Sequence, residues 1–404
     1  MTSEQNNQPL PESRNGGNPE DVPRDCIFGR KIEGEQARAT TSKTRSARLM
    51  ALDAFRGLTI AGMLLVNNIA LGEHTPRTLR HAPWNGGINF ADLVFPWFLL
   101  IVGVAIPYAR ESSRRRGLPT WKYDIHAIQR AAILVILGCL VDSSVEGHLH
   151  LGLGVLQLIG LAYMAGAFIS QLHIITRLSV AGALLIGYWA IIRFVPIPGV
   201  GAGIFHENLN VIEYVNHTYL ASIHLQGLLS VIPATAMVLI GSGIGQILRC
   251  EWFAEYKRVA IMTAVGVGLM LVGYLWNLDL PYNKIVWTPS YILYTAGLGS
   301  AILGVFYLVT DVWRWRWWAL PLTVFGANAI IAYVTPIFFR VYLLEHWMVR
   351  LHGGAHRSLL MVMLHGLFSR FGHVVGGWIY TVSYIVFWWL ILSVLYRRKI
   401  FLKI

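Results

Sequence analysis

Residues 80–98 read RHAPWNGGINFADLVFPWF, which sets a histidine, two asparagines and an aspartate where a strongly apolar run begins. A neutral imidazole is the usual side chain for moving protons near pH 7, and it can also accept an acyl group directly. His81 is therefore the first candidate for chemistry, although a loop histidine without such company would be a solvated side chain. Asn85 can orient a ring or donate to a developing oxyanion. Asp92 admits two readings. In the first turn of a helix it contributes about 0.3–1 kcal/mol through the dipole; alternatively its carboxylate orients His81.

Polar groups at membrane depth are expensive, so each asks for a partner or a task. Asn67 and Asn68 end the run LLVNN as helix caps, as interhelical hydrogen-bond donors or as members of the same site. The loop NKIVWTPSY (283–291) offers Asn283, Lys284 and Trp287: an amide, an ammonium and an indole that suit a sugar ring, or an ordinary interfacial tryptophan beside a snorkelling lysine. Asp53 and Arg56 lie three apart in LDAFRG on one helical face, as an anchoring ion pair or one wall of an anion site. Gln157 and Asn328 lie inside apolar runs, where helix–helix hydrogen bonding is the plain alternative to a site. Arg110 and Arg130 stand at the expected ends of spans, where a guanidinium can pair with phosphate or simply anchor the helix. P-loop, GxSxG, HExxH and dinucleotide fingerprints are absent. Cys26, Cys139 and Cys250 are scattered and imply neither a zinc site nor a disulfide framework.

The elements that must position these residues follow from composition. Of 404 residues, 55% are hydrophobic and 13% charged, against about 25% charge in soluble chains. The apolar runs are roughly 17–22 residues long, enough to cross about 30 Å of hydrocarbon. The chain reads as an all-α polytopic membrane protein of about ten transmembrane helices, near 52–71, 91–109, 127–142, 154–171, 178–195, 228–247, 259–276, 291–309, 319–339 and 376–396. The apolar but short stretch 359–371 reads as an interfacial or re-entrant helix. The net charge of +12 then reflects basic residues held on the cytoplasmic side, not nucleic-acid binding. Arg114, Arg115 and Arg116, Arg249 and Lys257, Arg314 and Arg316, and Arg397 to Lys399 alternate with the loops 143–153 and 196–226, which hold no Lys or Arg. Both termini are expected in the cytoplasm, with His81 and Lys284 on the outer face; four arginines in 340–375 run against the pattern. Residues 1–47, polar and rich in Pro and Gly, read as a disordered cytoplasmic tail, and 48–404 as the membrane domain.

The blocks LDAFRG, LLVNN, RHAPWNG and ADLVFPWF together resemble the catalytic membrane domain of the heparan-α-glucosaminide N-acetyltransferase family. GVLQLIGLAY, VPIPGVGAG (195–203), GLLSVIPATAMVLIG (227–241), NKIVWTPSY and GANAIIAY (326–333) extend the resemblance over roughly residues 48–404. It implies a transmembrane N-acetyltransferase that passes acetyl from cytosolic acetyl-CoA to the amine of a glucosamine-type sugar on the outer face. His81 falls on the family's catalytic histidine, and Asn67 is the preferred match to its asparagine. With that activity, Trp84, Asn85, Asp92, Asn283, Lys284 and Trp287 are expected at the acceptor, and Asp53, Arg56, Arg110, Arg130, Gln157 and Asn328 at acetyl-CoA. Many relatives carry arginine where this chain has Leu158, which puts a charge role there in doubt. The lumenal domain that precedes the spans in lysosomal members is missing here, which points to an inner (plasma) membrane. No metal is expected, and a homodimer is open. The competing reading is a permease for N-acetylglucosamine, a related amino sugar or a peptidoglycan fragment. Such transporters are built from repeats, and the HAPWNG block has no counterpart in the second half.

Overall fold

The computed structural model describes residues 49–351 and 356–402; the expected tail 1–47 lies outside them. The apolar runs form α1 (Met50–Asn68), α2 (Phe90–Arg115), α3 (Thr120–Glu146), α4 (Val155–Ile169) and α5 (Ile174–Phe194). A short α6 (Val211–Val215) follows the hairpin β1 (Phe205–His206) and β2 (Leu209–Asn210). The chain continues through α7 (Val231–Arg249), α8 (Glu255–Asn277), α9 (Pro289–Tyr307), α10 (Leu320–Ala327), α11 (Ala329–Phe338), the hairpin β3 (Met348–Arg350) and β4 (His356–Ser358), and α12 (Leu359–Arg397).

The protein is an all-helical polytopic membrane protein. Among the described residues eight helices are long and apolar enough to cross a membrane, and a pair bent by 66° between Ala327 and Ala329 brings the number to nine. The expected ten exceeds this by α4, whose 15 residues extend only about 22 Å at 1.5 Å per residue, short of the hydrocarbon thickness. The expected span 319–339 is the bent pair, broken at Asn328. The stretch 359–371 is the first limb of α12, set apart by Gly372, whose φ of 77° and ψ of 168° leave the helical region.

Burial separates centre from rim. The apolar windows of α2 and of the helix through α7 are 72% buried, whereas that of α8 is 17% buried. The central helices meet through small residues that let backbones approach. A Cβ on Gly103 of α2 would lie 2.1 Å from the Val238 carbonyl of α7, and one on Gly241 of α7 would lie 2.3 Å from the Leu100 carbonyl. On α1 and α10 the same device recurs: a Cβ on Gly57 would meet the Leu322 carbonyl at 1.7 Å, and one on Gly326 the Asp53 carbonyl at 1.9 Å. Cys139 is a free thiol.

Candidate active site

The loop from α1 to α2 returns to the start of α2, and the capping geometry there places His81. Asp92, two residues into α2, is 2% exposed. Its Oδ2 accepts from the backbone N–H of Asn89 at 3.1 Å and of Ala82 at 3.0 Å. Its Oδ1 lies 2.8 Å from His81 Nδ1. The two readings of Asp92 are therefore both realised: one oxygen closes the helix start and the other meets the ring. An ionised carboxylate only accepts, so in the neutral tautomer that suits this contact Nδ1 carries the proton and Nε2 the lone pair. The His81 side chain is 55% exposed, and its open edge faces a groove.

Lys284 arrives from 203 positions away. Its Nζ lies 3.0 Å from His81 Nδ1 and 3.4 Å from Nε2, and 3.6 Å from Asp92 Oδ1. A nitrogen in line with the Nδ1 lone pair would sit much farther from Nε2 than from Nδ1. Near-equal distances place Nζ over the ring face, so we read this contact as an amine above a π-system, not as a hydrogen bond along a lone pair. Burial lowers the Lys284 pKa below the ordinary lysine value, and Asp92 opposes that shift.

The loop holding Lys284 is stiff. Asn283 is buried, and its Oδ1 accepts from the N–H groups of Ile285 at 2.8 Å and Val286 at 3.2 Å. The Tyr188 hydroxyl donates to the Val286 carbonyl at 2.8 Å. Trp287 adopts φ 54° and turns inward, edge-on to Phe95 at 5.1 Å. Asn283 and Trp287 thus shape the loop that presents Lys284, and neither offers the open amide or ring face expected for a sugar. Asn85 occupies a left-handed turn position (φ 56°), for which asparagine is well suited. Trp84 packs on Phe205 of β1 at 5.0 Å, and its Nε1 is buried without a partner.

An open groove of about 460 Å³ adjoins His81, lined by Asn67, Glu73, Thr75 and Arg80 among others. Asn67 is exposed, whereas buried Asn68 spends its amide on the Leu64 carbonyl at 2.9 Å; of the two, Asn67 has the side chain open to the groove. Sequence reasoning passed over Glu73 and Arg80, whose only signal was nearness to His81.

A second, apolar cavity lies inside the bundle between α1, α2, α3, α4 and α11, lined by residues that include Met63, Phe98, Ile159, Arg130 and Tyr333. Met63 is one turn of α1 from Asn67, so the cavity wall leads toward the groove. Arg130 was expected to open its span, but α3 begins at Thr120. The guanidinium therefore lies well inside the helix, 4.5 Å over the Tyr163 ring, with Nε buried and lacking a partner. Helix α2 likewise runs past Arg110 to Arg115. Arg110 donates to the Ser170 carbonyl at 2.6 Å and the Gln171 carbonyl at 3.4 Å, so it caps α4. Asp53 and Arg56 pair at 3.3 Å. Gln157 donates to Asp142 at 2.7 Å. Asn328, at the break between α10 and α11, donates to the Ile400 carbonyl at 3.0 Å and accepts from the Leu402 N–H at 3.1 Å. Of the residues expected at acetyl-CoA, Arg130 alone lines this cavity.

A family model described as heparan-alpha-glucosaminide N-acetyltransferase, catalytic, matches residues 48–274. Heparan-alpha-glucosaminide N-acetyltransferase of Homo sapiens is 26% identical, over 88% of this chain and 60% of the human protein. That of Mus musculus is 24% identical, over 90% of this chain and 62% of the mouse protein. The chain thus spans less than two thirds of the length of the curated relatives it matches. The matched stretch holds Asn67, His81, Asp92 and Arg130 but ends before Lys284.

Proposed function

The chain belongs to the heparan-alpha-glucosaminide N-acetyltransferase catalytic family, and on that premise we propose that it transfers acetyl from acetyl-CoA to the amine of a glucosamine-type sugar, with His81 as the catalytic base. One observation supports the assignment of His81: buried Asp92 meets Nδ1 at 2.8 Å, and the half-exposed ring lines an open groove. The acceptor occupies that groove. Its amine gives a proton to Nε2 as its nitrogen attacks the thioester carbon; alternatively Nε2 attacks first and carries the acetyl briefly. The exposed amide of Asn67 is the donor to the developing oxyanion.

The donor enters from the opposite end of the bundle, where Arg114, Arg115 and Arg116 close α2, and that end faces the cytoplasm. The cavity bearing Arg130 and Tyr333 holds only about 30 Å³ of space, room for about a water or two, so a pantetheine arm taking this route must part the helices around it, with the guanidinium and phenol as partners for its amides. The membrane is the plasma membrane. Purified protein incubated with labelled acetyl-CoA and glucosamine tests the reading: label should appear on the sugar amine. A protein that binds both substrates, leaves the amine unlabelled and moves N-acetylglucosamine across vesicles would be a permease, and the proposal would fall.

A further inference from the structure

The site holds an amine of its own. Lys284 Nζ lies 3.0 and 3.4 Å from the two ring nitrogens of His81, on a loop fixed by Asn283 and by the Tyr188 bond to Val286. A primary amine is the same chemical class as the proposed acceptor group, and this one is nearer to His81 than any bound sugar need be.

The direction of approach also fits. An acetyl group on Nε2 conjugates with the ring and lies in its plane, so a nucleophile must reach its carbonyl carbon from above or below that plane. Lys284 stands over the ring face. A thioester carbonyl brought to Nε2 for transfer meets the same amine.

From this geometry we propose that Lys284 is an internal acetyl acceptor, which the protein's own donor modifies when the groove holds no sugar. The Nζ lone pair forms the new bond to the acetyl carbon. The bond from that carbon to sulfur, or to Nε2 when the acetyl rests on His81, breaks with its electron pair. The proton lost from Nζ neutralises the leaving group, so the net change is a lysine amine and acetyl-CoA giving an acetamide and CoA thiol. The product has no charge to pair with Asp92, and it places an acetamide above the ring, so modified protein is slow in transfer to sugar.

Protonation guards the amine. The titratable groups facing Nζ are Asp92 from α2, 3.6 Å away, and His81 from the preceding loop. From α9, Tyr291 faces Asp92, its hydroxyl donating to the Asp92 carbonyl. Asp92 holds the ammonium form, and burial works against it. Modification should therefore rise with pH, beginning below the range in which exposed lysines lose their protons. An acceptor in the groove competes for the acetyl group and protects Lys284.

The inference rests on the proposed acetyl transfer. The test is incubation of the purified full chain with acetyl-CoA alone, then peptide mass mapping of acetylated lysines over time, beside a parallel assay with glucosamine. Exposed Lys122 and Lys257 report the uncatalysed background. Lys284 should acquire acetyl at least about tenfold faster than either, because the reaction is intramolecular. The excess should vanish in His81→Ala and shrink when glucosamine is present, and the Lys284→Arg protein should show none at that position. If glucosamine is acetylated while Lys284 gains label no faster than Lys122 and Lys257, or gains it equally in His81→Ala, the inference is overturned and the transferase reading stands. If neither amine is acetylated, both fall.

Discussion

Asp92→Asn exchanges one oxygen for an amide nitrogen at the hub of the site, and the geometry fixes what must follow. Oδ2 now serves two backbone N–H groups at 3.0 and 3.1 Å, and Oδ1 serves the imidazole at 2.8 Å. The substituted amide has one acceptor oxygen. Keeping the two backbone bonds turns its NH₂ toward Nδ1, which must then accept, and the ring proton moves to Nε2. Nε2 loses the lone pair on which the proposed base chemistry depends, so turnover should fall by about 10²–10⁴, the usual contribution of a positioned base. The fold should lose about one charge-assisted hydrogen bond, roughly 1.5–3 kcal/mol. Initial rates of acetyl transfer to glucosamine, acetyl-CoA binding and thermal unfolding are measured on the same preparation. Near wild-type turnover, or a loss no larger than the loss of folded protein, would refute the claim that Asp92 sets the His81 tautomer.

His81→Ala should abolish transfer to sugar while leaving acetyl-CoA binding intact; retained turnover would remove His81 from the chemistry. Asn67→Ala should slow the chemical step by about 10²–10³ if its amide meets the oxyanion, whereas a change confined to the acceptor KM would make it a sugar ligand. Arg130→Met should weaken acetyl-CoA binding by about 1.5–3 kcal/mol, while Arg110→Met should lower stability and leave donor affinity unchanged; the reverse pattern in calorimetry would exchange their roles. Gly326→Ala forces a Cβ to within 1.9 Å of the Asp53 carbonyl, so stability should drop by about 1–3 kcal/mol or more. An unchanged unfolding temperature would mean that α1 and α10 do not meet there.

Legibility in the sequence depended on range. The helices were plain because an apolar run long enough to span a membrane forces its backbone to bond internally. Their ends were less so, because α2 and α3 carry polar residues outward on helical turns; Arg110 and Arg130, terminal by hydropathy, lie inside their helices. His81 and Asp92 were readable as candidates since they share one short stretch. That Lys284 closes the site from 203 positions away was not, because residue types announce chemistry but not convergence. Asn283, Trp287 and Asn328 show the converse: amides and indoles that suit a ligand are as well suited to holding a loop or a chain break, and only their partners distinguish the two uses.

The bond between Asn328 and residues 400–402 couples distant parts of the chain. Asn328 closes α10 and begins α11, and Ala329, Ile330 and Tyr333 of α11 form one wall of the interior cavity. The segment after α12 supplies both backbone partners of that asparagine. Trimming the chain after Arg398, or stiffening residues 400–402 with a fused purification handle, would release the hinge of a cavity wall. Residues 400–402 therefore act as a latch on the space proposed for the donor, and reporters for this protein are better inserted elsewhere.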